Sequence, residues 1–166
     1  MPDPELRLAV HGAFTLPDLT VESSIAEVRP GEPVDLWARY WDTADLRLAR
    51  HGVTLRHRSG GTGQPTWSLQ LPIADSSDAV TVGIAPRGEI EFDGASDRIP
   101  AGAADLVTAY VRTAPMVEIA ALKTRRRRWS LVNDEGTLAA ILVDDEVSVV
   151  DDGAPISRFR ELELEA

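Results

Sequence analysis

The sequence predicts a mainly β chain of the α+β class, with antiparallel strands closing into a barrel and helices packed outside it. Three observations carry this. First, segments recur in which apolar and charged residues alternate, the period of a strand with two unlike faces. Second, the charges are segregated. Lys123-Thr124-Arg125-Arg126-Arg127-Arg128 packs five cations into six positions of a chain of net charge −10, whereas residues 144–165 hold eight acids against two arginines. Third, a closed barrel removes the free edges of so many strands and gives them a polar lumen where the two signs can meet. An open antiparallel sheet with one wet face also fits simple alternation. Clusters of a single sign weigh against it, because ordinary surfaces intersperse their charges.

Residues 5–10 open the chain as a strand with Leu6, Leu8 and Val10 on one face and Glu5 and Arg7 on the other. His11–Phe14 is a turn, and Leu16-Pro17-Asp18-Leu19 a short helix start, with Pro17 tolerated in the first turn. Pro30-Gly31-Glu32-Pro33 turns into a strand at Val34–Tyr40. A short helix follows at Ala44–Arg50, capped by Thr43 and stopped by Gly52. Val53–Arg58 is a strand with Arg56 and Arg58 sharing a face. A glycine-rich hairpin leads to Thr66–Leu71, where Trp67, Leu69 and Leu71 face away from Ser68 and Gln70. Asp75–Asp78 turns, and Val80–Ile84 and Glu89–Phe92 form a further pair of strands. Pro100–Arg112 has helical spacing in Ala103, Leu106, Val107, Tyr110 and Val111. The basic run is a strand that turns at Asn133–Gly136. Thr137–Val150 and Phe159–Glu165 complete the set, with Glu161, Glu163 and Glu165 on one side of the last.

A single domain over residues 1–166 is the natural reading of the length, and 43% apolar residues suffice for a core. Strongly acidic net charge excludes general nucleic-acid binding, which wants a basic domain. No apolar run reaches membrane-spanning length. The acidic start argues against a signal peptide, and zero cysteines exclude disulfides and thiolate metal sites, so the cytoplasm is the expected compartment.

Alternation puts Lys123, Arg125 and Arg127 on one side of their strand and Arg126 and Arg128 on the other, outside any lumen. Neighbours two apart lie about 7 Å from each other, so each like pair repels by roughly 2–3 kcal/mol before screening. An enclosed basic face therefore needs carboxylates or a polyanion. Glutamates at i and i+2 can hold a hard divalent cation, and arginines can clamp phosphate oxygens. Those parts together suit a triphosphate with Mg²⁺. Ser59–Gln64 is no phosphate-cradling loop, since no Lys-Ser/Thr follows.

These residues carry a family. Tyr40-Trp41-Asp42-Thr43-Ala44-Asp45-Leu46, followed by Leu48 through Arg58, resembles the Y-[YF]-D-T-P-D…L-x-x-x-G-x-x-L-R-x-R signature of CYTH domains, the triphosphate tunnel metalloenzymes. The later basic strand and the final Arg160–Glu165 match in order, so the resemblance spans the chain. It is strongest to the CYTH half of bacterial, particularly actinobacterial, proteins that join CYTH to a helical CHAD domain. An N-terminal fragment of such a protein, with CHAD as a partner domain, is the alternative to a complete chain. The resemblance implies an eight-stranded antiparallel tunnel and hydrolysis of inorganic triphosphate, or a related triphosphate or polyphosphate, with Mg²⁺ or Mn²⁺. It implies metal ligands at Asp3, Glu5, Glu161 and Glu163. Substrate binding falls to Arg56, Arg58, Gln70, Lys123, Arg125 and Arg127, and catalytic roles to Arg7, Asp144 and Glu146.

Three positions depart from the family pattern. Asp3 replaces a glutamate, Arg7 a lysine, and Gln70 a lysine. Gln70 alone removes a charge-assisted contact of roughly 1.5–3 kcal/mol. A non-catalytic module that binds triphosphate or polyphosphate is therefore the alternative function, and a self-neutralised structural domain a third.

Overall fold

The computed structural model of the protein describes residues 5–72 and 87–165. Among them lie nine strands and two α-helices, in the order β1 (Glu5–Val10), β2 (Glu27–Pro30), β3 (Val34–Thr43), α1 (Arg47–Arg50), β4 (Thr54–Gly60), β5 (Thr66–Pro72), β6 (Arg87–Phe92), α2 (Ala101–Val111), β7 (Met116–Val132), β8 (Leu138–Asp151) and β9 (Ala154–Glu165). The strands pair in the order β1-β9-β8-β7-β3-β4-β5-β6, with β2 added alongside β7. The expected turn at Asp75–Asp78 and strand at Val80–Ile84 lie outside the described residues.

The closed eight-stranded barrel expected from the sequence is not what forms. Among the described residues no pairing joins β6 back to β1, and the sheet is mainly antiparallel and open. The inference to a barrel rested on like charges needing enclosure. The sheet meets that need on its own surface, by standing opposite charges on one face of neighbouring or next-but-one strands. Arg56 and Arg58 sit beside Glu89, Arg7 beside Glu163 and Arg126 beside Asp145. Cross-strand pairs of this kind neutralise a basic strand without any closure.

The chain folds as two compact units, Met1–Leu36 with Leu122–Ala166 and Trp37–Ala121. In Trp37–Ala121 the core is Leu48, Val53, Leu55, Trp67, Leu69, Ala103, Val107 and Val111, with Trp41, Leu71, Phe92, Ile99, Tyr110 and Met116 packed against it. Alternation puts Leu55 on the core side of β4 and Trp67 and Leu69 on that of β5, each contributing about 1.5–3 kcal/mol by burial. Helix α2 answers with Ala103, Val107 and Val111, one residue per turn on one stripe, while Leu106 stays exposed. Gly102 permits the close approach, since a methyl there would meet the Phe92 ring at 3.2 Å. The helix expected at Ala44–Arg50 is a single turn, entered through Leu46 with φ 57°. Its cap is Asp42 rather than Thr43: the buried carboxylate accepts the amides of Thr43 (2.6 Å), Leu48 (2.9 Å) and Ala49 (3.0 Å).

In the other unit, β1, β9 and β8 form one antiparallel ladder. Asp152 and Gly153 join β8 to β9 with φ of 46° and 79°, a two-residue turn of the type that suits strand twist. Its buried apolar residues are Leu131, Val132, Leu142, Val143, Val147 and Leu162. Leu6 and Leu8, the expected core face of β1, remain about half exposed. Strand β2 has no signature in the sequence and pairs with β7, followed by a Gly31 amide bond to the Arg128 carbonyl at 2.7 Å. The short helix expected at Leu16–Leu19 begins later, as a 3-10 turn over Leu19–Val21, because Asp18 accepts the Thr20 amide at 3.0 Å.

Candidate active site

Two polar clusters stand out, one in each unit. The first is built by register. Directly opposed residues of an antiparallel pair point to the same side. Arg7 opposes Glu163, and Val143, Asp145 and Ile141 oppose Glu163, Glu161 and Glu165. One face therefore carries Arg7, Asp145, Glu161, Glu163 and Glu165. Arg7 reaches Glu163 at 3.1 Å. Strand β7 contributes Arg126, which holds Asp145 with two hydrogen bonds, Nε to Oδ1 at 2.8 Å and Nη2 to Oδ2 at 2.6 Å. That bidentate bond holds the Arg126 guanidinium above its ordinary pKa, with the charges of Asp145, Glu163 and Glu165 adding to it.

Asp144 and Glu146 occupy the alternate positions of β8, on the opposite side from Asp145. There Asp144 is taken by Arg160, Nε to Oδ1 at 2.8 Å and Nη2 to Oδ2 at 2.7 Å, and Arg160 Nη1 also donates to the Phe14 carbonyl at 2.6 Å. Glu146 stands across the ladder from that same arginine. The structure thus ties both residues to Arg160 and brings Asp145 to the glutamates. On β7 it likewise brings Arg126 to the carboxylates. Lys123, Arg125 and Arg127 alternate to the other side of the strand: Lys123 lies 3.7 Å from Asp35, Arg125 is exposed, and Arg127 stacks over Trp129 at 5.7 Å. Glu5 opposes Glu165 in the ladder, and Asp3 lies outside the described residues.

The second cluster lies on the polar side of β4, β5 and β6. Arg56 Nε donates to Ser68 Oγ at 3.1 Å, and Arg56 and Arg58 both point Nη2 at Glu89 Oε1, at 3.4 and 3.1 Å. Glu91 lies 3.5 Å from Arg58. Register puts Glu89 opposite Gln70 and Glu91 opposite Ser68, so all of these share a face. Burial pushes the Glu89 carboxyl up, but the Ser68 hydroxyl and the two guanidinium groups outweigh it and hold it below its ordinary value. Two arginines converging on one carboxylate make an oxyanion site already filled by the protein itself. In the sequence Glu89 and Glu91 are simply strand residues; their i, i+2 spacing, matching that of Arg56 and Arg58, is the signal that points to this cluster.

A family model, the CYTH domain, matches residues 1–166. The chain belongs to the CYTH family. Two curated relatives from Mycobacterium tuberculosis, the uncharacterized proteins MT2285 and Rv2226, are each 30% identical over 181 residues, covering 99% of this chain and 34% of theirs. The CYTH chain thus spans about a third of the length of the curated relatives it matches. Among solved structures, a Bacillus halodurans protein whose name proposes adenylate cyclase activity superposes with a TM-score of 0.57 at 18% identity, covering 99% of this chain and 80% of that one. The Hippeastrum protein HpAC1, named for adenylyl cyclase activity and described as having a dominant triphosphatase activity, gives 0.51 at 17% identity, covering 98% and 78%. At these identities the likeness is one of fold. No helix among the described residues is long and apolar enough to cross a membrane.

CYTH proteins are typically metal-dependent. The carboxylates of β8 and β9 are oxygen donors only, the chemistry a hard divalent cation prefers. Among the described residues no three of them converge on one point.

Proposed function

We propose that this CYTH domain binds inorganic triphosphate, or a related triphosphate, and hydrolyses it with Mg²⁺ or Mn²⁺. The observation that carries the reading is the pairing of Arg56 and Arg58 on a single carboxylate, in the strand whose sequence matches the family signature. A phosphate oxygen is a better partner than Glu89 for the same fork, because it presents more charge and more acceptor sites. The family resemblance gives the cation to Asp3, Glu5, Glu161 and Glu163; of these, Glu161 and Glu163 would hold it on the face that also carries Asp145. When bound, the metal supplies neutralisation of the phosphate charge. Arg126 orients Asp145, and Arg7 orients Glu163. Water attacks the terminal phosphorus, the bridging P–O bond breaks, and phosphate and diphosphate leave.

A second reading, a phosphate-binding module without turnover, is favoured by Gln70. It stands opposite Glu89 where the family has a lysine, so one positive charge is missing beside the arginine pair.

Phosphate release from inorganic triphosphate, with and without Mg²⁺ or Mn²⁺ and with ATP and long polyphosphate as comparators, separates the two. Metal-dependent, triphosphate-selective release is the expected result. A stabilising thermal shift without release supports the binding module. Arg56→Ala with Arg58→Ala should abolish triphosphate binding altogether, by more than about a hundredfold. Unchanged affinity in that double variant removes the site from these arginines.

A further inference from the structure

A cavity of about 580 Å³ opens within the unit Trp37–Ala121, and the triphosphate reading makes no use of it. Its walls include Trp37 and Arg39 of β3, His57 and Ser59 at the end of β4, and Ala95 and Ser96 in the segment after β6. Alternation along β4 sends His57 to the side opposite Arg56 and Arg58, so the cavity and the arginine cluster do not share a face.

The walls are fixed. Trp67 Nε1 donates to the Ala95 carbonyl at 3.0 Å and ties down the 94–96 segment. Gly94 lets that segment lie close, since a methyl there would stand 3.1 Å from Pro100 Cγ and 3.4 Å from Trp67 Cδ1. The His57 ring packs edge-on to Trp67 with centroids 5.3 Å apart. It is only 4% exposed, and its Nε2 is itself buried, with no hydrogen-bond partner among the described residues. A buried ring nitrogen of this kind is the exception in native structures and asks for an explanation. Beside it the Arg39 guanidinium lies in loose contact, 3.9 Å, with Glu118 and stays about half exposed.

We propose that this cavity binds a small planar organic anion of the aromatic carboxylate class. The Trp37 indole offers a flat apolar wall, Arg39 the counter-charge, and the Ser59 and Ser96 hydroxyls the hydrogen bonds that orient the carboxylate, with the His57 ring in the wall beside them. The volume falls within the range of small-molecule sites. Burial, with Arg39 adding, holds the His57 imidazole below its ordinary pKa and therefore neutral at pH 7. One cation and neutral donors match a single negative charge, which separates this site from the polyanion chemistry of Arg56 and Arg58.

The test is nuclear magnetic resonance on the full chain with ¹⁵N-labelled histidine, titrated with benzoate and indole-3-acetate. The chain has three histidines, so His11 and His51 serve as internal references and the His57 signal is assigned from His57→Gln. The expected result is a saturable shift of His57 alone, weakened by about tenfold or more in Arg39→Gln and unchanged when Arg56 and Arg58 are both alanine. Arg39 is half exposed, so that substitution leaves the core intact. Three results would overturn the proposal. One is no saturable shift up to about 10 mM probe; the others are wild-type affinity in Arg39→Gln, and displacement of the probe by triphosphate. None of these depends on whether triphosphate is hydrolysed.

Discussion

Asp42 is 2% exposed and accepts three backbone amides, which makes it the residue on which the first helical turn depends. Asp42→Ala leaves those amides buried without an acceptor. At about 1–3 kcal/mol for each orphan, and allowing for partial rehydration, the loss is about 3 kcal/mol. For a chain of this length that lowers the midpoint of thermal unfolding by roughly 6–12 °C; a variant that melts with the wild type would show that water replaces the carboxylate. The sequence points to Thr43 instead, because a threonine just before an apolar-periodic segment is the commoner cap. Thr43 Oγ1 does accept the Arg47 amide at 3.0 Å. What moves the main cap back one residue is the left-handed backbone at Leu46, which no leucine announces. His57 gives a second prediction at this scale. Its pKa is lowered from 6.5 by burial, so the unfolded chain binds its proton more readily than the folded one. Stability is complete above pH 6.5 and falls as the pH drops below it. Denaturant unfolding between pH 6.5 and about 5, before most carboxylates titrate, should show this slope in the wild type and lose it in His57→Gln.

At the scale of the element, the sequence shows which strands are charged but not always which side of a strand meets which neighbour. Glu161, Glu163 and Arg7 fall together because the end of β9 and β1 alternate without interruption and pair with each other. Asp144, Asp145 and Glu146 are consecutive, so their composition is silent about which of them joins the glutamates; only the β8–β9 register decides it. The same holds for β7, where Arg125, Arg126 and Arg127 are one residue type and a shift of one position exchanges the two faces. The β8–β9 register at Asp145 is set by the Asp152–Gly153 turn together with a β-bulge between Val149 and Val150, which shifts the pairing by one residue. Gly153 has φ 79°, a conformation that costs a side chain about 1 kcal/mol, so Gly153→Ala should lower the melting temperature by roughly 2–4 °C. Gly12, with open space around its Cβ position and no positive φ, is the control: Gly12→Ala should leave the midpoint where it is. Equal effects at the two glycines would mean that the left-handed backbone at Gly153 carries no cost of its own.

For the whole molecule, the question is how a chain of net charge −10 takes up a polyanion. Long-range repulsion disfavours the encounter, and the arginines that would reward it are already held by Glu89 and Glu91. These two facts are one design: a basic pair exposed without a ligand would repel itself, and the carboxylates stabilise the empty state at the cost of competing with the filled one. Closure of the sheet was expected to solve this problem, and cross-strand neutralisation solves it instead, which is why the charge pattern reads correctly for the strands and wrongly for the barrel. The consequence can be measured in a single variant. Glu89→Gln keeps the shape of the side chain and its bond to Ser68 in reach, but removes the charge. Without ligand the variant should melt below the wild type, because Arg56 and Arg58 then face each other with less compensation. With triphosphate it should bind more tightly, by about tenfold for one displaced charge-assisted contact. The ligand-induced rise in melting temperature should therefore be larger in the variant than in the wild type, since stabilisation follows the ratio of ligand concentration to dissociation constant. A smaller rise would give Glu89 the opposite role: it would then hold the two guanidinium groups in the geometry that phosphate needs, and the ligand would lose more from their disorder than it gains from their freedom.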